Sequence, residues 1–197
     1  MSPSTCRCGT QPVQPPHMSK LKIFFLSMLA GLVLVIGWFA ATRAVSAPQT
    51  QTARLTEDIQ VSEQIRPEQL AALKSQGFQT VIDLRPDGEA PDQPGSAAMA
   101  QAAKQAGLQF GYVPVPHGDV PAATIDALAR LLADTPRPVL LYCRSGARAA
   151  RTWALAEASR PGGLDATGIT QRARAAGRPV DDLQSQIDQR IAARNPK

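Results

Sequence analysis

Residues 138–148 read Pro138-Val139-Leu140-Leu141-Tyr142-Cys143-Arg144-Ser145-Gly146-Ala147-Arg148 and combine an apolar run with a charged turn. The apolar run predicts a buried β-strand, and the alanine-rich pattern after residue 148 predicts a helix. Cys143 is therefore expected where a strand passes into a helix. In such a turn several backbone N–H groups can converge on one point, and the start of the helix adds a partial positive charge there.

The residue types around Cys143 are typical of a thiolate that faces an anion. A helix start and neighbouring arginines generally stabilise the thiolate form of a cysteine. Gly146 permits a tight curl because it has no side chain, and Arg148 can bind an oxyanion through its planar guanidinium. Arg144 offers a second anion contact, with a solvent-facing loop charge as the alternative. A cysteine that only fills space at a strand end has no need of two arginines and a glycine beside it.

Strand and helix patterns alternate from residue 55 onward. Strands are predicted at residues 58–62, 78–84, 108–115 and 138–142, and helices at 67–74, 96–106, 121–133 and 149–157. This alternation predicts an α/β fold with a mainly parallel sheet that is covered by helices on both faces. Ligands of such sheets bind at the carboxyl ends of the strands, where Cys143 lies. Two further helices, at about 165–176 and 181–193, are assigned packing roles only.

Charge and cysteine content exclude several function classes. The formal net charge is +5, but four of the 21 basic residues and none of the 16 acidic residues precede Pro48. The rest of the chain is nearly neutral, which argues against nucleic-acid binding. Cys6 and Cys8 form a poor metal site because no second pair accompanies them. The sequence therefore predicts neither a metal nor a cofactor, and no internal disulfide for Cys143.

The segment before the domain is predicted to carry it across a membrane. Residues 23–41 are nineteen uncharged residues, which as a helix span about 28 Å and match a bilayer core. Lys20 and Lys22 keep the preceding end in the cytoplasm. An uncleaved anchor would leave a single-pass membrane protein with its C-terminal domain on the periplasmic side. Cleavage near Ala47 would instead release the domain to the periplasm.

Four regions follow from these patterns. They are a disordered leader at 1–19, a transmembrane anchor or signal peptide at 20–43, a linker at 44–54 and a catalytic domain at 55–193. The true start, Met1 or Met18, stays open.

The loop from Tyr142 to Arg148 resembles the active-site loop of rhodanese-type sulfurtransferases, in which four residues separate the cysteine from the arginine. Protein tyrosine and dual-specificity phosphatases have five, normally with a histidine before the cysteine, where this chain has Tyr142. Two further stretches extend the resemblance: Leu55-Thr56-Glu57-Asp58-Ile59-Gln60-Val61-Ser62 and Thr80-Val81-Ile82-Asp83-Leu84-Arg85-Pro86-Asp87-Gly88-Glu89. Together they are similar to the rhodanese/phosphatase-like domain of bacterial beta-lactamase-hydrolase-like proteins, over about residues 54–180.

The resemblance implies a sulfurtransferase. Cys143 would take sulfane sulfur from a small donor, hold it as a persulfide and pass it to a thiol acceptor. The anion would be stabilised by Arg148 and by the loop residues Arg144, Ser145, Gly146 and Ala147. A loop shorter by one residue makes a smaller cradle, which suits a terminal sulfur better than a tetrahedral phosphate.

Two alternatives remain open at this point. A cysteine phosphatase acting on a phosphorylated substrate needs a general acid, and Asp119 follows a strand end in a suitable loop, although it could simply cap the helix that Pro121 opens. His117 could take part in acid–base chemistry or lie exposed. Asp83 is expected to fix the backbone at Arg85. The second alternative is a non-enzymatic anion-binding module at the membrane.

Overall fold

The computed structural model describes residues 50–194. The predicted leader, the apolar segment 23–41 and the Cys6–Cys8 pair lie outside the described residues. Among residues 50–194 no helix has both the length and the apolar character needed to cross a bilayer.

The described residues form a five-stranded sheet of order β1-β2-β5-β3-β4. The strands are β1 Thr52–Arg54, β2 Ile59–Ser62, β3 Thr80–Asp83, β4 Gln109–Tyr112 and β5 Val139–Tyr142. The last four are parallel, and β1 runs antiparallel to β2. The predicted α/β class with a mainly parallel sheet is confirmed. Residues 52–54, which the sequence analysis assigns to the linker, instead form the edge strand β1.

Six helices of the described chain cover the sheet. They are α1 Leu70–Ser75, α2 Ser96–Gln105, α3 Ala122–Asp134, α4 Ala147–Ser159, α5 Ala166–Ala175 and α6 Gln184–Arg194. Single 3-10 turns, Pro67–Gln69 and Asp181–Leu183, precede α1 and α6. The last helix is predicted from the sequence to start at residue 181, where the structure has the second of these turns.

The two faces of the sheet bury two separate apolar clusters. One face packs on α3 to α6 and includes Leu141, Cys143 and Trp153. The other packs on α1 and α2 and includes Leu140 and Tyr142. Because side chains alternate along a strand, β5 contributes to both clusters and is buried throughout. Burial on both faces explains its continuous apolar run.

The register of the sheet brings four strand ends to one edge. Ser62 and Asp83 both pair with Tyr142, and Asp83 also pairs with Tyr112. Cys143 follows Tyr142 directly. The loops that leave β2, β3 and β4 therefore surround the loop that leaves β5, and these loops supply the side chains described next.

Candidate active site

The cysteine loop, residues 143–148, curls back on its own sulfur. The Gly146 backbone N–H donates to Cys143 Sγ over 3.2 Å. Gly146 has a φ of 82° and immediately precedes α4. Cys143 is a free cysteine, with only 1% of its surface exposed. The predicted turn between strand and helix is thus present, with one amide already directed at the sulfur.

Gly146 is required by space as well as by backbone angle. A Cβ at this position would lie 3.1 Å from the carbonyl oxygen of Ser62 and 3.0 Å from Nε of Arg178. The positive φ would strain any side-chain-bearing residue in addition. The loop can therefore approach the end of β2 closely only because residue 146 is glycine.

Two contacts from distant parts of the chain hold the outer side of the loop. Gln64 N–H donates to the carbonyl oxygen of Arg144 over 3.3 Å. Arg178 Nε donates to the carbonyl oxygen of Ser145 over 3.0 Å. The sequence predicts only packing roles for the region around α5 and α6. This prediction is wrong for Arg178, which follows α5 and contacts the cysteine loop directly.

Arg148 is bound by a carboxylate of the same chain. Its Nη1 and Nη2 donate to Glu89 Oε1 and Oε2 over 2.5 and 2.7 Å, and Nη1 also reaches the carbonyl oxygen of Val115 at 2.8 Å. From the sequence, this guanidinium is predicted to bind an oxyanion of the ligand. In the structure its bidentate partner is Glu89, which was not among the predicted site residues. The one signal available was the position of Glu89 at the end of the stretch 80–89.

Glu89 gathers three basic side chains around its carboxylate. Besides Arg148, Arg85 Nε lies 2.9 Å from Oε2 and His117 Nε2 lies 3.3 Å from Oε1. The Glu89 side chain is only 11% exposed. Hydrogen bonds from Arg148 lower the pKa of Glu89 to about 2. The same bonds raise the pKa of Arg148, and Cys143 acts in the same direction more weakly.

Asp83 fixes the backbone beside this cluster, as the sequence analysis expects. Its Oδ1 accepts the Arg85 N–H over 2.8 Å. Asp83 is fully buried, and burial raises the pKa of its carboxyl to about 6. The buried Tyr142 hydroxyl lowers the pKa of Asp83 and so partly opposes the effect of burial. Within the described residues, neither Asp83 Oδ2 nor Tyr142 Oη makes a hydrogen bond of normal geometry.

Asp119 and His117 lie on the loop between β4 and α3. Asp119 is exposed, and α3 begins after Pro121 without a side-chain cap, so the capping interpretation of Asp119 is wrong. His117 is 76% exposed on its side chain, yet its Nε2 contacts Glu89. This loop therefore starts beside the Glu89–Arg148 pair, with an exposed carboxylate two residues further on.

Chemically, the site pairs a sulfur with a fixed cation. Cys143 Sγ lies at the start of α4 and accepts a hydrogen bond from the Gly146 amide. The neighbouring Arg148 guanidinium is fixed by its two hydrogen bonds to Glu89. Within residues 50–194 no three His, Cys, Asp or Glu side chains come close enough together to hold a metal ion.

The sequence and the fold both match known proteins. A family model described as the phosphatase-like domain of beta-lactamase hydrolase-like protein matches residues 51–160. The chain is 39% identical over 103 residues to a beta-lactamase hydrolase-like protein of Xylella fastidiosa (strain Temecula1), covering 52% of this chain and 24% of that protein. A beta-lactamase hydrolase-like protein of Agrobacterium fabrum is 34% identical over 108 residues, covering 55% of this chain and 25% of that protein. The chain thus spans about a quarter of the length of these curated relatives.

Solved structures extend the likeness to phosphatases. A phosphatase candidate from Neisseria meningitidis is 29% identical with a TM-score of 0.61, covering 70% of this chain and 96% of that one. The core catalytic domain of the PP-IP phosphatase SIW14 of S. cerevisiae has a TM-score of 0.54 at 18% identity, covering 76% of this chain and 96% of that one. The second likeness concerns the fold alone.

These findings support a phosphatase-like domain, and they do not confirm the sulfurtransferase interpretation. The phosphatase alternative fits these findings better. Since the family model covers more than half of the chain, this chain belongs to the family of phosphatase-like domains of beta-lactamase hydrolase-like proteins.

Proposed function

We propose that the domain is a cysteine-dependent sulfurtransferase. The observation that carries the proposal is the size of the cysteine loop, which has four residues between Cys143 and Arg148 and directs the Gly146 amide at Sγ. The Ala147 amide, also in the loop, makes a long hydrogen bond of 3.5 Å to the Ser145 hydroxyl oxygen. So small a cradle suits a single terminal sulfur better than the three outer oxygens of a phosphoryl group.

The reaction has two steps. The Cys143 thiolate attacks the outer sulfur of a thiosulfate-type donor, an S–Sγ bond forms, and the donor's S–S bond breaks, so that sulfite leaves with the electron pair. A thiolate acceptor then attacks the terminal sulfur of the persulfide, and Cys143 leaves as a thiolate. Arg148 and the loop amides stabilise the anionic donor and the terminal sulfur. Cys143 is the one cysteine of residues 50–194, so the described domain holds no second thiol that could act as the acceptor.

A phosphatase is the second candidate, favoured by the likeness in fold and by the position of the loop 117–119. In this reaction the Cys143 thiolate attacks phosphorus, the leaving oxygen takes a proton from Asp119, and water then hydrolyses the phosphocysteine. The exposed Asp119 carboxylate fits that role, because its loop starts at the Glu89–Arg148 pair.

One experiment separates the two candidates. The full chain, purified in a mild detergent, is incubated with thiosulfate and analysed by intact mass spectrometry, and its turnover of thiosulfate with cyanide is compared with that of an aryl phosphate. We expect the mass to rise by one sulfur atom, and Cys143→Ser to abolish the rise. Asp119→Asn is expected to leave persulfide formation intact. Phosphate release that needs both Cys143 and Asp119, with no persulfide, would establish the phosphatase instead. Binding of either anion without turnover would identify an anion-binding module.

We also propose that residues 23–41 hold the domain at the outer face of the membrane. The support is the uncharged length of this segment and the two lysines that precede it. Carbonate extraction of membranes and protease treatment of spheroplasts test the proposal. A chain that carbonate removes from the membrane, or that protease cannot reach, would contradict it.

A further inference from the structure

A polar cavity of about 290 Å³ opens beside the cysteine loop. Side chains from three separate segments line it: Gln64 and Arg66 after β2, Arg85, Asp92 and Gln93 after β3, and Arg144 in the loop itself. Ala90 and Pro94 complete the lining, so three of its eight residues are arginines. Since Arg144 directly follows Cys143, whatever binds in the cavity lies next to the reacting sulfur.

The cavity contains a buried, fixed cation. The Arg85 side chain is only 6% exposed. Its Nη1 donates to Gln64 Oε1 over 2.8 Å, and its Nε binds Glu89. Through Glu89 it is linked to Arg148, so the cavity and the cysteine loop share one hydrogen-bonded network. A guanidinium held in this way is preorganised to receive an anion without losing side-chain entropy.

Acidic side chains do not balance the cavity's positive charge. The Glu89 carboxylate is shared between Arg85 and Arg148. Asp92 faces Arg66 at 4.0 Å, but the two side chains are 81% and 61% exposed, so this pair is weak. Arg144 adds a third positive charge on the side of the loop. The cavity is therefore electropositive and open to a small anion.

We propose that this cavity binds a carboxylate of the acceptor thiol and so selects acceptors that carry one. The inference rests on the proposed sulfurtransferase activity and names the substrate class for its second step. Arginine side chains bind carboxylates through paired hydrogen bonds. Arg66 and Arg144 supply exposed donors, and Arg85 supplies the buried charge. A thiol with a carboxylate held there would have its sulfur beside the persulfide on Cys143.

The test compares two acceptor thiols on the full chain loaded with persulfide. Mercaptosuccinate carries two carboxylates, and 2-mercaptoethanol carries none. We expect kcat/KM to favour mercaptosuccinate, and Arg66→Gln to lower this preference about fivefold, the scale of one partly exposed charged hydrogen bond. Asp92→Asn is expected to raise the preference, because it removes the opposing charge. Added salt should reduce it.

A matched control removes the same charge elsewhere. Arg130 is exposed on α3 and lines a different cavity with Asp58 and Arg137, at the amino ends of the strands. Arg130→Gln should leave the preference for mercaptosuccinate over 2-mercaptoethanol as it is in the natural chain. A preference that is absent from the natural chain, or that responds equally to Arg66→Gln and Arg130→Gln, overturns the inference.

A binding measurement separates this inference from the proposed activity. Succinate is titrated into the Cys143→Ser protein, in which no transfer takes place, and followed by NMR. Succinate binding that Arg66→Gln weakens, together with a natural chain that forms no persulfide with thiosulfate, would retain the anion subsite and reject sulfur transfer. A persulfide without succinate binding would reject the subsite and retain sulfur transfer.

Discussion

Arg148 and Glu89 form a two-bonded ion pair, with N–O distances of 2.5 and 2.7 Å, that joins the first turn of α4 to the loop after β3. The pair is mostly buried, and Arg85 contacts the same carboxylate. The guanidinium beside Cys143 therefore has a fixed position before any ligand arrives. Preorganised charge of this kind is worth more to a reaction than a flexible charge of equal size.

Replacing Glu89 by glutamine removes the negative charge and one of the two oxygens that hold Arg148, so the guanidinium should lose its fixed position. We expect Glu89→Gln to lower kcat/KM for persulfide formation by about ten- to a hundredfold, because Arg85 and Arg148 lose their shared counter-charge. Stopped-flow mixing with thiosulfate measures the rate. Glu63→Gln, at an exposed site after β2, is the matched control and should react like the natural chain. Equal rates for both variants would show that Arg148 needs no support from Glu89.

The acid stability of the domain should also depend on Glu89. Its folded pKa of about 2 lies below its ordinary value of 4.5. The unfolded chain therefore takes up a proton first as the pH falls, and the stabilisation present above pH 4.5 is lost progressively toward pH 2. The melting temperature of the natural chain should fall more steeply over this range than that of Glu89→Gln. Parallel curves would contradict the assignment.

Asp83 should produce the opposite pH dependence. Its folded pKa of about 6 lies above its ordinary value of 3.8, so the native state retains a proton that the unfolded chain releases. The contribution of Asp83 to the free energy of unfolding is complete below about pH 4 and declines as the pH rises to 6. Asp83→Asn keeps an oxygen for the Arg85 N–H. Its melting temperature should match that of the natural chain near pH 4 and exceed it by a few degrees above pH 7. A constant difference between the two across this range would refute the burial effect.

Gly146 and Gly177 allow backbone strain and steric clash to be separated. Both have positive φ, 82° and 68°, but a Cβ at Gly177 meets nothing within 4 Å. Each alanine variant should cost about 1–2 kcal/mol of unfolding free energy for the left-handed backbone. Only Gly146→Ala should also displace the cysteine loop, and this displacement should slow persulfide formation about a hundredfold. Urea unfolding and the thiosulfate reaction check the two effects. Comparable rates in both variants would mean that the loop tolerates a side chain at residue 146.

Arg178 should matter to the loop although it follows α5. We expect Arg178→Met, which keeps the apolar stem and removes the donor to Ser145 O, to slow persulfide formation about three- to tenfold. Arg172→Met, on the exposed face of α5, is the control. A slower reaction in the control than in Arg178→Met would remove Arg178 from the site.

Short-range features were predictable because they depend on neighbours in the chain. The apolar run of β5 and the alanines of α4 are sufficient to place the turn at Cys143. The bond between Asp83 and Arg85 spans two residues, and it too followed from the strand end. The edge strand β1 was missed because three residues of moderate polarity carry too little periodicity to stand out from a linker.

The sequence alone determined that one cysteine stands at the carboxyl edge of a parallel sheet, in a loop of four residues closed by an arginine. The tertiary structure decided which side chains complete that loop. Glu89 lies 59 positions from Arg148, and Arg178 lies 33 positions from Ser145. No local pattern encodes such pairs, because they form only when the order β2-β5-β3 places the loops after neighbouring strands around β5. The position of Cys143 was therefore set by local sequence, and the charges that surround it were set by strand order.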